Sequence, residues 1–237
     1  MQEIKSIQNA IRDVEEKISD ACKRVGRNPE EVTLIAVSKT MPVEAIREAM
    51  ECGVIEFGEN RPQELRDKQA EITEPLHWHM IGSLQTNKLK YVIGKTVLIH
   101  SVDSVHLAQA INEMSGKKGL VTDILLEINV AGEESKHGIS PEELEETVRT
   151  LATYSDIKIR GLMTVAPYTE DAEENRIYFK QMKQLMVDIN SKNIDNVYMD
   201  ILSMGMTGDY EIAIEEGATL VRVGTGIFGH RVYLPKE

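Results

Sequence analysis

Three features of this sequence could do chemistry together: a lysine at a strand end, an arginine within a strand, and two glycine-rich turns. Lys39 closes the apolar, β-branched run "TLIAVSKT", residues 33–40. Taken alone, such a lysine is either a solvated side chain opening a loop or a nucleophile held at the end of a strand. Arg222 sits in "TLVRVG", where a period of two puts Leu220, Arg222 and Gly224 on one face and Val221 and Val223 on the other. The valines suit a helix-covered face, so the guanidinium is expected to point inward. There it needs either a structural carboxylate or a ligand, because an unpaired buried charge is costly.

The turns are "MGMTGDYE" and "VGTGIFG". The first is read as Thr207 and Gly208 opening a helix, where free N–H groups and the helix dipole favour an anion. The second lets backbone amides approach a ligand closely. His77, His79 and Ile81 share a face of "LHWHMIG", but this pair of histidines lacks the other ligands of a zinc site within sequence reach. The chain has no G-x-S-x-G elbow, Walker loop or Rossmann fingerprint. A lysine, a phosphate cup and a buried arginine together fit pyridoxal 5'-phosphate, whose aldehyde Lys39 would hold as a Schiff base.

Such residues must be brought together by a scaffold. Eight short apolar segments are legible as strands: "TLIAVSK", "VIEFGE", "LHWHMIG", "TVLIHSVD", "DILLEINV", "IKIRGLMT", "YMDILSMG" and "TLVRVG". Most are rich in Val, Ile and Leu, as parallel strands covered on both faces should be. Amphipathic segments alternate with them. "SPEELEETVRTLA" opens with Ser140 as N-cap, Pro141 and a capping-box Glu143. "MPVEAIREAMECG" runs from Pro42 to a stop at Gly53, and "TGDYEIAIEEG" from Thr207 to Gly217. Before all of these, Ile4, Ile7, Ile11, Val14, Ile18, Cys22 and Val25 form one stripe of an additional N-terminal helix ending near Gly26. The pattern predicts an α/β protein, a single (β/α)8 TIM barrel of one domain over residues 1–237, with a doubly wound open sheet as the rival. The site is then expected where strands end.

The totals narrow the partners. The 237 residues carry a formal net charge of -12, which offers no general attraction to nucleic acid or to an anionic membrane. Two cysteines, Cys22 and Cys52, suit a reducing compartment. The charged N-terminus does not read as a signal peptide, and no run reaches membrane-spanning length. A cytoplasmic monomer is the expectation.

The motifs "LIAVSKT", "FGENRPQE", "WHMIGSLQTNK", "SVDS", "SKHGI", "GLMTVAP" and "LSMGMTGDYEIAIEEGATLVRVGTGIFG", in this order, resemble the pyridoxal phosphate homeostasis proteins, the YggS/PROSC family. That family is related to the barrel domain of alanine racemase. The resemblance implies that Lys39 carries the cofactor and Arg222 faces its pyridine nitrogen. It also implies that Ser203, Thr207, Gly224 and Thr225 lie on the phosphate side, and that Asn60 and His79 contact the ring. Lys136, in "SKHGI", matches a second family lysine.

An arginine at the ring nitrogen cannot accept its proton, so the ring becomes a weak electron sink, unfavourable for transamination or decarboxylation. Racemisation survives that argument, since alanine racemase has an arginine there too. It requires a second acid/base opposite the lysine, however. Alanine racemase takes a tyrosine from its partner's C-terminal domain, and this chain ends at "HRVYLPKE"; Tyr210 and Tyr233 are the remaining candidates. The resemblance therefore implies a protein that holds the cofactor, buffers it and passes it to pyridoxal phosphate-dependent apo-enzymes, without robust catalysis. A racemase of low activity and a Schiff-base aldolase are the alternatives.

Overall fold

A computed structural model describes residues 6–133 and 137–229. They form a closed barrel of eight parallel strands in chain order, with β1 hydrogen-bonded to β8. The strands are β1 (Thr33–Val37), β2 (Glu56–Glu59), β3 (His77–Met80), β4 (Leu98–Val102), β5 (Thr122–Glu127), β6 (Ile157–Met163), β7 (Ile201–Ser203) and β8 (Leu220–Val223). Each coincides with a segment read as a strand from its apolar run, β5 starting one residue earlier, at Thr122. Closure excludes the open-sheet alternative.

Around the barrel run α1 (Ile7–Arg24), α2 (Val43–Glu51), α3 (Pro62–Glu71), α4 (Val105–Lys117), α5 (Leu144–Leu151), α6 (Arg176–Ser191), α7 (Tyr210–Glu215) and α8 (Thr225–Phe228). After β3 the chain makes a 3-10 helix, Thr86–Tyr91. The additional helix is α1, whose buried face is Ile11, Val14, Ile18 and Cys22. Ile4 lies outside the described residues. Because α7 and α8 are short, α1 completes the outer ring, packing against α2, α7 and α8. Charges fasten it there. Glu215 Oε1 lies 2.6 Å from Arg24 Nε of α1, and Glu215 Oε2 lies 2.7 Å from Arg176 of α6.

Two helix ends differ from the sequence reading. The helix expected from Thr207 begins at Tyr210, because the Asp209 carboxylate accepts from the Met206 N–H at 2.7 Å and turns residues 206–209 before the helix starts. At Ser140 the expected reciprocal capping box is incomplete. Ser140 Oγ accepts from the Glu143 N–H, but the Glu143 carboxylate takes the Ser140 hydroxyl rather than its backbone N–H.

The barrel interior is layered. Ile35, Leu98, Leu125, Met163 and Leu220 form an apolar plug in its lower part. One inward position further along β4 and β8 come His100 and Arg222, so the next layer is polar. Gly58 makes room between strands: a Cβ there would meet Ile81 Cδ1 at 2.9 Å and Ile35 Cγ2 at 3.0 Å.

Candidate functional site

The strand ends frame a cavity of ≈ 680 Å³. Of the residues singled out in the sequence, Lys39, Asn60, Thr207, Arg222, Gly224 and Thr225 line it. His79 and Ser203 do not; both are buried below it inside the barrel. Lys136 and Tyr233 lie outside the described residues. Tyr210 is buried in the core, away from the cavity, and burial pushes its phenol up to about 12.

Lys39 is half-buried, two residues beyond β1, and its backbone is clamped from below. The Lys68 ammonium donates to the Ser38 carbonyl, to Glu59 Oε1 and to Glu64 Oε1, each at 2.7 Å. Ser38 Oγ also donates to Glu59 Oε1 at 2.7 Å. On the other side of Lys39, the Thr40 N–H donates to the Glu64 carboxylate. This holds Thr40 at φ 64, a left-handed conformation that a threonine seldom adopts unaided. A buried ammonium between two carboxylates thus fixes the residues on both sides of Lys39. Burial raises the Glu59 carboxyl above its ordinary value, and Lys68 and Ser38 offset this only in part.

Arg222 is buried and, as its alternation predicts, points into the barrel. It pairs directly with no carboxylate among the described residues. Its Nη1 donates to Ser203 Oγ at 2.6 Å and its Nη2 to the Thr164 carbonyl at 2.7 Å, while the residue still reaches the cavity. Burial lowers its pKa to about 10, against the opposing attraction of Asp209 and Glu127. It remains a cation at neutral pH.

The two glycine-rich turns meet at Thr207, whose hydroxyl accepts from the Gly226 N–H at 3.2 Å. None of the backbone N–H groups of Thr207, Gly208, Gly224 and Thr225 is engaged by a backbone carbonyl in the described loops. Converging amides of this kind favour an anion. Any anion would be met by the turns, since α7 starts too late and is too short to supply a substantial dipole. Gly205 permits the first turn: its φ is 89, and a Cβ there would sit 2.6 Å from Ala213 Cβ.

Several supporting residues escaped the sequence reading. Glu64 and Lys68 are spaced i, i+4 on α3, a visible signal, but the meeting of Lys68 with the buried Glu59 is not. His100 gives no local signal at all. Asn175 Nδ2 donates to the Pro167 carbonyl at 3.0 Å and to Asp209 Oδ2 at 2.9 Å, tying the loop after β6 to the turn after β7.

Fold and site together define a class. A profile described as the alanine racemase N-terminal domain matches residues 12–232. An alanine racemase of Clostridium difficile 630 shares the fold, with a TM-score of 0.70 at 17% identity over 97% of this chain and 58% of that one. Nearer relatives specify more. The chain is 46% identical to the pyridoxal phosphate homeostasis protein of Aquifex aeolicus, over 92% of this chain and 95% of the relative. It is 39% identical to the protein of the same name from Escherichia coli K12, over 97% and 99%. The PipY protein of Synechococcus elongatus, solved with PLP bound, superposes with a TM-score of 0.79 at 37% identity, covering 90% of this chain and 100% of that one. The chain belongs to the pyridoxal phosphate homeostasis protein family.

Proposed function

We propose that this protein binds pyridoxal 5'-phosphate at the barrel mouth through Lys39 and serves its homeostasis, holding the cofactor and releasing it to apo-enzymes. One observation carries the reading: a single cavity joins a clamped lysine, a buried arginine and two turns with unengaged amides. The donor set fits the cofactor. The amides and the Thr207 hydroxyl suit a phosphate, Arg222 suits an acceptor nitrogen, and Asn60 Oδ1 is buried without a partner among the described residues. When bound, the cofactor supplies an aldehyde carbon that condenses with an amine. The chain contributes the rest. The Lys68 clamp fixes the backbone that carries the nucleophile, Arg222 would hold the ring-nitrogen side as a donor that cannot accept a proton, and the turns would hold the phosphate.

Turnover is not the purpose in this reading. Among the described residues, Tyr168 is the tyrosine lining the cavity, and it stands 94% exposed, held by nothing that would set it opposite Lys39 as an acid/base. We place the protein in the cytoplasm as a one-domain monomer, in keeping with the free thiols of Cys22 and Cys52. No helix among the described residues is long and apolar enough to cross a membrane.

The test is the visible spectrum of the protein mixed with pyridoxal 5'-phosphate, before and after borohydride, for the native chain and Lys39→Ala. A new visible band, fixed by borohydride as added mass on Lys39 and missing from the variant, is expected. An identical spectrum in the variant would remove Lys39 as the anchor. Deuterium entering the α-position of L-alanine at catalytic rates would make the protein a racemase instead.

A further inference from the structure

Beneath the cavity, four side chains form a hydrogen-bonded line through the barrel interior, ending at Arg222. Glu56 Oε2 lies 2.7 Å from His79 Nε2. His79 Nδ1 lies 2.9 Å from His100 Nε2, and His100 Nδ1 lies 2.9 Å from Ser203 Oγ. Ser203 Oγ in turn meets Arg222 Nη1. His79, His100 and Ser203 are buried. Glu56 opens β2 at the opposite rim of the barrel, where His77, half exposed, reaches its second oxygen at 2.7 Å. The line therefore runs from the lower rim to the cavity.

Its direction follows from the chemistry of its ends. Arg222 can only donate, and an ionised Glu56 can only accept. Burial pushes Glu56 up, but the hydrogen bonds and the attraction of His79 and His77 together leave it below its ordinary value. Burial, with His79 and Arg222 nearby, pushes His100 well below 6.5, so it is neutral. With one proton on each ring, a single assignment satisfies every contact. Arg222 donates to Ser203, the Ser203 hydroxyl to His100 Nδ1, His100 Nε2–H to His79 Nδ1, and His79 Nε2–H to Glu56.

We propose that Glu56, His79, His100 and Ser203 are positioning residues, a one-way chain that fixes which of its N–H groups Arg222 presents to the cavity. The proposal rests on the reading of that cavity as the cofactor site. Two of the five guanidinium N–H groups are tied down by Ser203 and the Thr164 carbonyl. The plane of the guanidinium is then set, and with it the donor offered to a ring nitrogen. An added proton on His79 would force His100 to turn its donor toward Ser203, leaving the Ser203 hydroxyl proton without its acceptor. The other charges around this layer are Glu127 on β5 and Asp209 beyond β7, which act on Arg222 through space. Neither can replace a directed hydrogen bond.

Glu56→Gln is the decisive variant, because it is isosteric, lies at the rim and touches neither Arg222 nor the cavity. Leu125→Ala, in the apolar plug, controls for loss of packing. In the cofactor-free native protein, nitrogen-15 NMR should find the proton of His79 and of His100 on Nε2, with slow rotation of the Arg222 guanidinium. Glu56→Gln should mix the tautomers and speed that rotation, and Leu125→Ala should do neither. With labelled cofactor, Glu56→Gln should also shift the ring-nitrogen resonance and weaken binding about tenfold, the scale of one hydrogen bond. A His100 proton on Nδ1 in the native protein, or Arg222 rotation unchanged by Glu56→Gln, would overturn the proposal. A native protein that takes up no cofactor would instead sink the cofactor reading, and the cofactor-free spectra would still decide the chain.

Discussion

Lys68 Nζ lies 2.7 Å from the carbonyl oxygen of Ser38, the residue immediately before Lys39. The same ammonium reaches Glu59 and Glu64, so one buried cation organises the segment that carries the candidate nucleophile. Removing it strands the fully buried Glu59 carboxylate. Lys68→Met is expected to cost about 3–5 kcal/mol, as breaking one half of a buried pair does, read by urea denaturation. At urea-free concentrations where the variant is still folded, borohydride should fix less cofactor on Lys39. Unchanged capture would show that the clamp serves stability alone.

The two turns of the proposed anion cup are joined through Thr207. Thr207→Val keeps the shape and removes the hydroxyl that accepts from Gly226. Affinity for the cofactor should fall about tenfold while stability changes by less than ~1 kcal/mol. Gly205→Ala should behave differently, since it both demands a left-handed alanine and drives a methyl against Ala213 and Tyr210. We expect a loss of ~2 kcal/mol or more in folding, seen in calorimetry, together with weaker binding.

How much of this was readable in advance depends on distance along the chain. The strands were legible because each buried strand is a compact Val/Ile/Leu run, and the inward direction of Arg222 followed from alternation with two valines. Lys39 stood out because it breaks such a run at its end. The Glu56–His79–His100–Ser203 line was not legible, because its members sit on four strands brought together only by barrel closure. His79 was accordingly expected at the ring and lies below the cavity. The start of α7 was misplaced for a local reason: Thr207 and Gly208 look like a cap, but the Asp209 side chain folds back on Met206 and occupies the turn.

Stability should depend on pH through His100. Burial depresses its folded-state pKa well below the ordinary 6.5, so the unfolded chain binds the extra proton more readily. The contribution is complete above pH 6.5 and is lost as pH falls below that value toward the folded pKa. Urea midpoints measured from pH 8 downward should therefore begin to drop near pH 6.5, ahead of the carboxylates. His100→Gln should lack this early limb, and an identical profile in the variant would assign the limb elsewhere.

Glu215 bridges Arg24 of α1 and Arg176 of α6, and its side chain is only 11% exposed. Arg176 is the better sheltered of the two arginines, at 25% against 46%. Double-mutant cycles should find ~1–2 kcal/mol of coupling between Glu215 and Arg176, and under ~1 kcal/mol between Glu215 and Arg24. Equal couplings would mean that exposure does not govern this cluster.

The seam between β1 and β8, with α1 laid over α7 and α8, makes the two ends of the chain mutually dependent during synthesis. Lys39 leaves the ribosome long before Ser203, Thr207 and Arg222 are made. Until they arrive the first strand has no neighbour on one edge, and contacts so remote in sequence form slowly. A nascent or truncated chain thus carries the lysine without the cup or the arginine. Loading with cofactor becomes a report that the ring of strands has shut.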